Sequence, residues 1–134
     1  MTISLSAKAI IRFFHLLKMG ADTSEITQND NMFGTLRWME KFSGGPGEER
    51  CDYLLLNDEA ATSYYIELKG SDLPKAIRQI ENTIKLLSPS LPGYAVLRRI
   101  VYHTGSHNVH ASEVLRWKAR YKAVVKERAY SENI

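Results

Sequence analysis

The sequence predicts an α/β domain, a small mixed β-sheet flanked by helices in the order α-β-β-β-α-β with a further helix at the C-terminal end. Three observations predict it. Two short runs, "CDYLLLN" and "TSYYIELKG", are rich in the residues that suit a pleated surface and are separated by Asp58 to Ala61, so they form a hairpin. Directly after Gly70 the period changes to that of a helix, with Leu73, Ile77, Ile80, Ile84 and Leu87 recurring at steps of four and three. A third strand-like run, "YAVLRRIVYH", follows the turn formers "SPSLPG". With 134 residues and 44% hydrophobic content, the chain suffices for one core and is short for two. Residues 1–134 are therefore read as a single domain.

The elements follow in order. A first helix is expected from about Ser6 to Met19, capped by Ser4 or Ser6 and stopped by Gly20. The polar stretch Ala21 to Asn31 fits a loop or a short second helix. "TLRWMEKF" alternates loosely before the breaker "SGGPG" and is read as a strand. The hairpin comes next, then the helix from Leu73 to Leu87, with Ser71 or Asp72 as cap and Pro74 in its first turn. After the strand "YAVLRRIVYH", a final helix is expected from about Ser112 to Tyr130. Its apolar stripe is Val114, Trp117, Tyr121, Val124 and Val125, flanked by Lys118, Lys122 and Lys126.

Composition limits the chemistry. Cys51 is the only cysteine, which excludes an intramolecular disulfide and a Cys-rich zinc cluster and makes a cytoplasmic location the default. The apolar stretch Ile10 to Leu17 is interrupted at helical spacing by Arg12 and His15, unlike a signal-peptide core, and no membrane association is expected. A net charge of +3 with a pI near 9.0 is compatible with a polyanionic partner without demonstrating one.

One feature of the hairpin carries chemistry. Tyr65, Glu67 and Lys69 share one face of their strand, while Tyr64, Ile66 and Leu68 take the other. A four-residue turn at Asp58 to Ala61 sets Asn57 opposite Thr62 and, counting back along both strands, Asp52 opposite Glu67. Directly opposed residues lie about 5 Å apart at Cβ. Two carboxylates at that distance repel by roughly 3 kcal/mol at an effective dielectric near 20. A positive group belongs between them. Lys69 is one candidate, and a divalent cation held by hard oxygen ligands, Mg²⁺ or Mn²⁺, is the other.

Cys51-Asp52, followed by Glu67-Leu68-Lys69 leading into an amphipathic helix, resembles the PD-(D/E)xK nuclease superfamily, the restriction-endonuclease-like fold. The matching order is helix, strand, Asp-bearing strand, ExK strand, helix, strand, over most of Ser6 to His103. The resemblance implies Asp52 and Glu67 as metal ligands assisted by the Leu68 carbonyl, Mg²⁺ or Mn²⁺ as cofactor, Lys69 as a catalytic residue and Gln79 as a helper on the following helix. This sequence departs from the pattern at three places. Cys51 stands where the motif has Pro, Thr83 stands where one subgroup's Q-x-x-x-Y has Tyr, and the first helix carries no carboxylate before Asp22. Glu25 and Glu49 are the available substitutes for that upstream acid.

The expected function is metal-dependent hydrolysis of phosphodiester bonds in DNA, by a homodimer if both strands are to be cut. Holliday-junction resolvases are similar in size and motif order. A non-catalytic nucleic-acid or protein adaptor that keeps the fold is the alternative from another class, and an RNA-processing or defence nuclease is a third reading. The remaining features read as structural. His103, His107 and His110 match no zinc spacing and sit best in a loop, although one of them could approach a phosphate. Trp38 and Trp117 read as core or interface anchors, and Cys51 as a small buried apolar residue. The lysine flank of the final helix, with Arg98, Arg99, Arg116 and Arg120, reads as a solvated face or the lining of a nucleic-acid groove.

Overall fold

The structure is a computed structural model that describes residues 2–6, 10–13, 36–40 and 50–133. In chain order the elements are β1 (Thr2–Ser6), β2 (Ile10–Phe13), β3 (Leu36–Glu40), β4 (Tyr53–Asn57), β5 (Thr62–Asp72), α1 (Leu73–Leu87), β6 (Ala95–His107), α2 (Ser112–Tyr121), β7 (Val124–Glu127) and β8 (Ala129–Asn133). The architecture is mixed α/β. A central sheet runs in the order β3-β4-β5-β6-β7, and a smaller sheet in the order β2-β1-β8. β3, β4 and β5 form an antiparallel meander, whereas β5, β6 and β7 are parallel. Parallel neighbours need a long crossover, and α1 and α2 supply the two crossovers.

Alternation along the strands divides the core into two layers. Leu54, Leu56, Tyr65 and Ile100 face the helices, meeting Leu73, Ala76, Ile80 and Leu87 of α1 and Val114 and Trp117 of α2. Leu55, Tyr64, Ile66, Leu68 and Val101 face the other way and pack on Ile3 and Leu5 of β1. A one-residue slip would exchange the two sets, so burial on both faces fixes the register. α1 starts where the strand period ends. Asp72 occupies its N-cap position without a side-chain capping bond, and Pro74 lies in the first turn, where its missing N–H costs nothing.

The predicted run of three strands, helix and strand is present as β3, β4, β5, α1 and β6. Two expected helices are corrected. Within the span Ser6 to Met19, residues Ile10–Phe13 form β2, antiparallel to β1 with Ile3 opposite Phe13. A short apolar run with β-branched residues fits either period, and pairing with β1 settles it as a strand. The helix expected to reach Tyr130 ends at Tyr121. Lys122 takes a left-handed conformation (φ 51°), and Val124 then pairs in parallel with Arg99 of β6. Val124 and Val125, adjacent and β-branched, serve a strand better than a helix. Residues 14–35 and 41–49, which hold Glu25, Glu49, the ambiguous stretch Ala21 to Asn31 and the "SGGPG" breaker, lie outside the described residues.

Arg98 and Arg99 do not line a groove. Arg98 Nε donates to Glu81 Oε1 at 2.6 Å, Trp117 Nε1 donates to the same oxygen at 2.9 Å, and the guanidinium lies 3.7 Å from the Tyr121 ring centroid. One buried arginine thereby ties β6 to both helices. On the other face, Arg99 grips Glu132 of β8 through Nε at 2.8 Å and Nη2 at 3.0 Å, and Tyr130 donates to the same carboxylate. Trp117 is the core anchor its stripe predicts. Arg116, Lys118 and Arg120 are exposed on α2, Lys122 just past its end, and Lys126 on β7. Among the described residues, no helix is long and apolar enough to cross a membrane.

Candidate functional site

The hairpin has the register that its turn length requires. Asn57 pairs with Thr62, and the ladder runs back residue by residue to Tyr53 opposite Ile66. Asp52 lies just before β4, one residue beyond the last pair of that ladder. Asp52 Oδ2 accepts the Leu68 N–H at 2.9 Å, so its carboxylate is anchored to the peptide that follows Glu67. Glu67 is 6% exposed, and its parallel neighbour on β6 is Ile100, a residue of the helix-side core. By alternation Glu67 lies on that same side, with Tyr65.

Cys51, the residue before Asp52, is shaped by both acids. Its thiol is fully buried in the helix-side core and is pushed up to about 12, first by burial and then by the negative charges of Glu67 and Asp52, against a lowering contact with Thr83. A thiol with neither access nor thiolate character is inert. Cys51 is therefore expected to stay unmodified by a thiol reagent such as DTNB in the folded protein and to react fully in denaturant, followed by absorbance.

Thr83, noted in the sequence only as a departure from Q-x-x-x-Y, has a structural role that its position in that motif does not disclose. Its hydroxyl accepts the Cys51 N–H at 2.9 Å and donates to the Gln79 carbonyl at 2.7 Å, which joins α1 to the residue preceding Asp52. The available signal was a polar residue in the apolar stripe Ala76, Ile80, Thr83, Leu87. Thr83→Val keeps the shape and leaves a buried N–H without its acceptor, at a cost of about 1–3 kcal/mol. Urea denaturation should register that loss, and any activity that depends on Asp52 should fall with it.

The other predicted residues fare differently. Leu68 is buried, and its N–H serves Asp52. Gln79 contributes its backbone carbonyl to Thr83, and its side-chain amide makes no hydrogen bond among the described residues. Lys69 occupies a special backbone position. β5 pairs Leu68 with Val101 and then Gly70 with Tyr102, so Lys69 is an extra residue in the ladder. Such a bulge re-aims side chains, and strict alternation no longer assigns Lys69 to the face of Glu67. The side chain of Lys69 lies outside what the structure describes. His103 and His107 belong to the long strand β6 rather than to a loop, and His110 follows in the turn before α2.

No group of three or more His, Cys, Asp or Glu side chains that could hold a metal occurs among the described residues. The local oxygen donors are two carboxylates and a backbone carbonyl. That set fits Mg²⁺ or Mn²⁺, which are commonly held by one or two carboxylates with waters and substrate phosphate filling the shell. Comparisons with protein-family models, with curated proteins and with solved structures each found no match to this chain.

Proposed function

We propose that the chain is a Mg²⁺- or Mn²⁺-dependent nuclease that hydrolyses phosphodiester bonds of DNA, built on a restriction-endonuclease-like core. The observation that carries this reading is the hydrogen bond from the Leu68 N–H to Asp52 Oδ2, which ties the Asp52 carboxylate to the peptide after Glu67. The order of β3, β4, β5, α1 and β6 supports it as well. Asp52, Glu67 and the Leu68 carbonyl would hold the ion. A bound divalent ion supplies charge that polarises a phosphate oxygen and lowers the pKa of water.

The chain's own groups do the rest. The Leu68 N–H fixes one Asp52 oxygen and leaves the other available, and burial of Glu67 strengthens its attraction for a cation. Lys69, next to that carbonyl, would orient the attacking water or offset charge that develops on the phosphate. Gln79 has the weaker role of a polar neighbour on α1. A homodimer would place two sites on the two strands of a duplex. The test is a panel of DNA and RNA substrates in Mg²⁺ with an EDTA control, run on the wild type and on Lys69→Ala. Cleavage of DNA that EDTA and Lys69→Ala both abolish is expected. Robust cleavage by Lys69→Ala overturns the assigned chemistry.

The adaptor reading keeps one specific support. Among the described residues no third acid joins Asp52 and Glu67. An adaptor would bind nucleic acid without cleaving any member of the same panel in Mg²⁺ or Mn²⁺.

A further inference from the structure

β6 runs past its partner strand. After Gly70 pairs with Tyr102, the next pair is Asp72 with His107, and the extra residues His103 to Ser106 leave the ladder between them. Behind this excursion lies an open cleft of about 500 Å³, bounded by Tyr102, the turn at Asn108 to His110 and Glu127 at the end of β7. That volume is in the range of small-ligand sites. Tyr102 packs on the helix-side core and stands two residues beyond Ile100, so the cleft opens on the same side of the sheet as Glu67. Ile100 is the neighbour of Glu67, and Tyr102 stands two residues further on, which places that wall of the cleft about 7 Å along β6 from Glu67.

The lining has the chemistry of base recognition. Tyr102 offers an aromatic surface beside apolar Val109. Asn108, exposed and held in a left-handed conformation (φ 61°), presents an amide with donor and acceptor side by side, the pattern that pairs two-point with adenine. Neither that amide nor the His110 imidazole makes a hydrogen bond among the described residues. Glu127 is already steadied, since the Thr104 hydroxyl donates to it at 2.5 Å, and it keeps acceptor capacity for an exocyclic amine. An aromatic face with amide, imidazole and carboxylate at its rim suits a flat, hydrogen-bonding heterocycle better than an isolated phosphate.

We infer that this cleft seats an unpaired nucleobase of the strand whose phosphate lies at Asp52 and Glu67. The inference rests on the proposed nuclease function and adds a substrate class to it: single-stranded or locally unpaired nucleic acid, with one base taken out of the stack. The distance between the two sites is one that a short stretch of flexible strand spans. Stacking on an aromatic side chain is tolerant of sequence, and the Asn108 amide would favour adenine within that tolerance.

Fluorescence anisotropy tests it with the full chain in EDTA, using a labelled single strand of about 12 nucleotides and an otherwise identical strand of abasic residues. The wild type should bind the natural strand about tenfold or more tightly than the abasic one. Asn108→Gly, which suits the left-handed backbone, and Tyr102→Leu, which keeps apolar bulk, should each weaken binding of the natural strand severalfold and leave the abasic strand unchanged. Equal wild-type affinity for the two strands, or variants that bind the natural strand like the wild type, overturns the cleft as a base site. In that case EDTA-sensitive cleavage in the substrate panel would still uphold the nuclease. Failure of the wild type to bind either strand in EDTA overturns the cleft as a base site and leaves the nuclease to the substrate panel, whereas failure to cleave in the panel removes both together.

Discussion

Glu67→Gln is expected to lower Mg²⁺-dependent cleavage about 10²–10³-fold, the usual loss when one preorganised electrostatic group is deleted. The same substitution should make the metal-free protein more stable. Glu67 is 6% exposed and Gln has its shape, so packing is retained while the charge and one acceptor oxygen are removed. At the spacing of about 5 Å expected for opposed residues, the two carboxylates would oppose each other by about 3 kcal/mol at an effective dielectric near 20. Relief of that opposition without a cation should appear as a higher urea midpoint in EDTA. Wild-type protein should recover the difference on adding metal, since an ion that binds only the folded state at about 100 times its Kd contributes about 2.7 kcal/mol. A Glu67→Gln protein that is less stable in EDTA would mean that a fixed cationic partner already compensates Glu67. Opposite signs in activity and stability are the mark of a site built for function at the expense of the fold.

The second large effect concerns the fold. Arg99→Ala is expected to destabilise the protein by about 3–5 kcal/mol, because it strands the Glu132 carboxylate in a largely buried position. Domains of this kind are stable by only about 5–15 kcal/mol in total, so the urea midpoint should fall steeply. Arg99 also lies 5.5 Å from the Tyr64 ring and joins β6 of the central sheet to β8 of the smaller one. The double variant Arg99→Ala/Glu132→Gln should recover part of the loss, because the uncompensated charge is then gone. An Arg99→Ala protein as stable as the wild type would show that the two sheets are held by apolar packing alone.

How legible this was in the sequence depended on where each element's constraint came from. The β4–β5 register, with Asn57 opposite Thr62, was readable because a four-residue turn fixes it locally and both faces are buried. α1 was readable because fifteen residues carry the helical period with a proline at the start. β2 and β7 were not. "AIIRFF" and "YKAVV" are short apolar runs that satisfy either period, and long-range partners, β1 for one and β6 for the other, decide between them.

The candidate site divides in the same way. Residue types and hairpin spacing disclosed the acids, but the bulge at Lys69 arises from pairing with β6, a strand about thirty residues away, and local alternation contains no sign of it. Thr83 was visible only as a departure from Q-x-x-x-Y, since its partner is a backbone N–H thirty-two residues earlier. Arg98 and Arg99 looked like surface cations because their acids, Glu81 and Glu132, are brought to them by helix packing and by the second sheet.

The central claim is that Asp52 and Glu67 form one cation site. Titration of Mn²⁺ into the metal-free protein, with free ion followed by electron paramagnetic resonance, measures this directly. Wild-type protein is expected to take up Mn²⁺ in competition with Mg²⁺, and Asp52→Asn and Glu67→Gln should each weaken that uptake at least about tenfold. Uptake that is undiminished in both variants, or absent from the wild type, would contradict the shared site and the nuclease proposed from it.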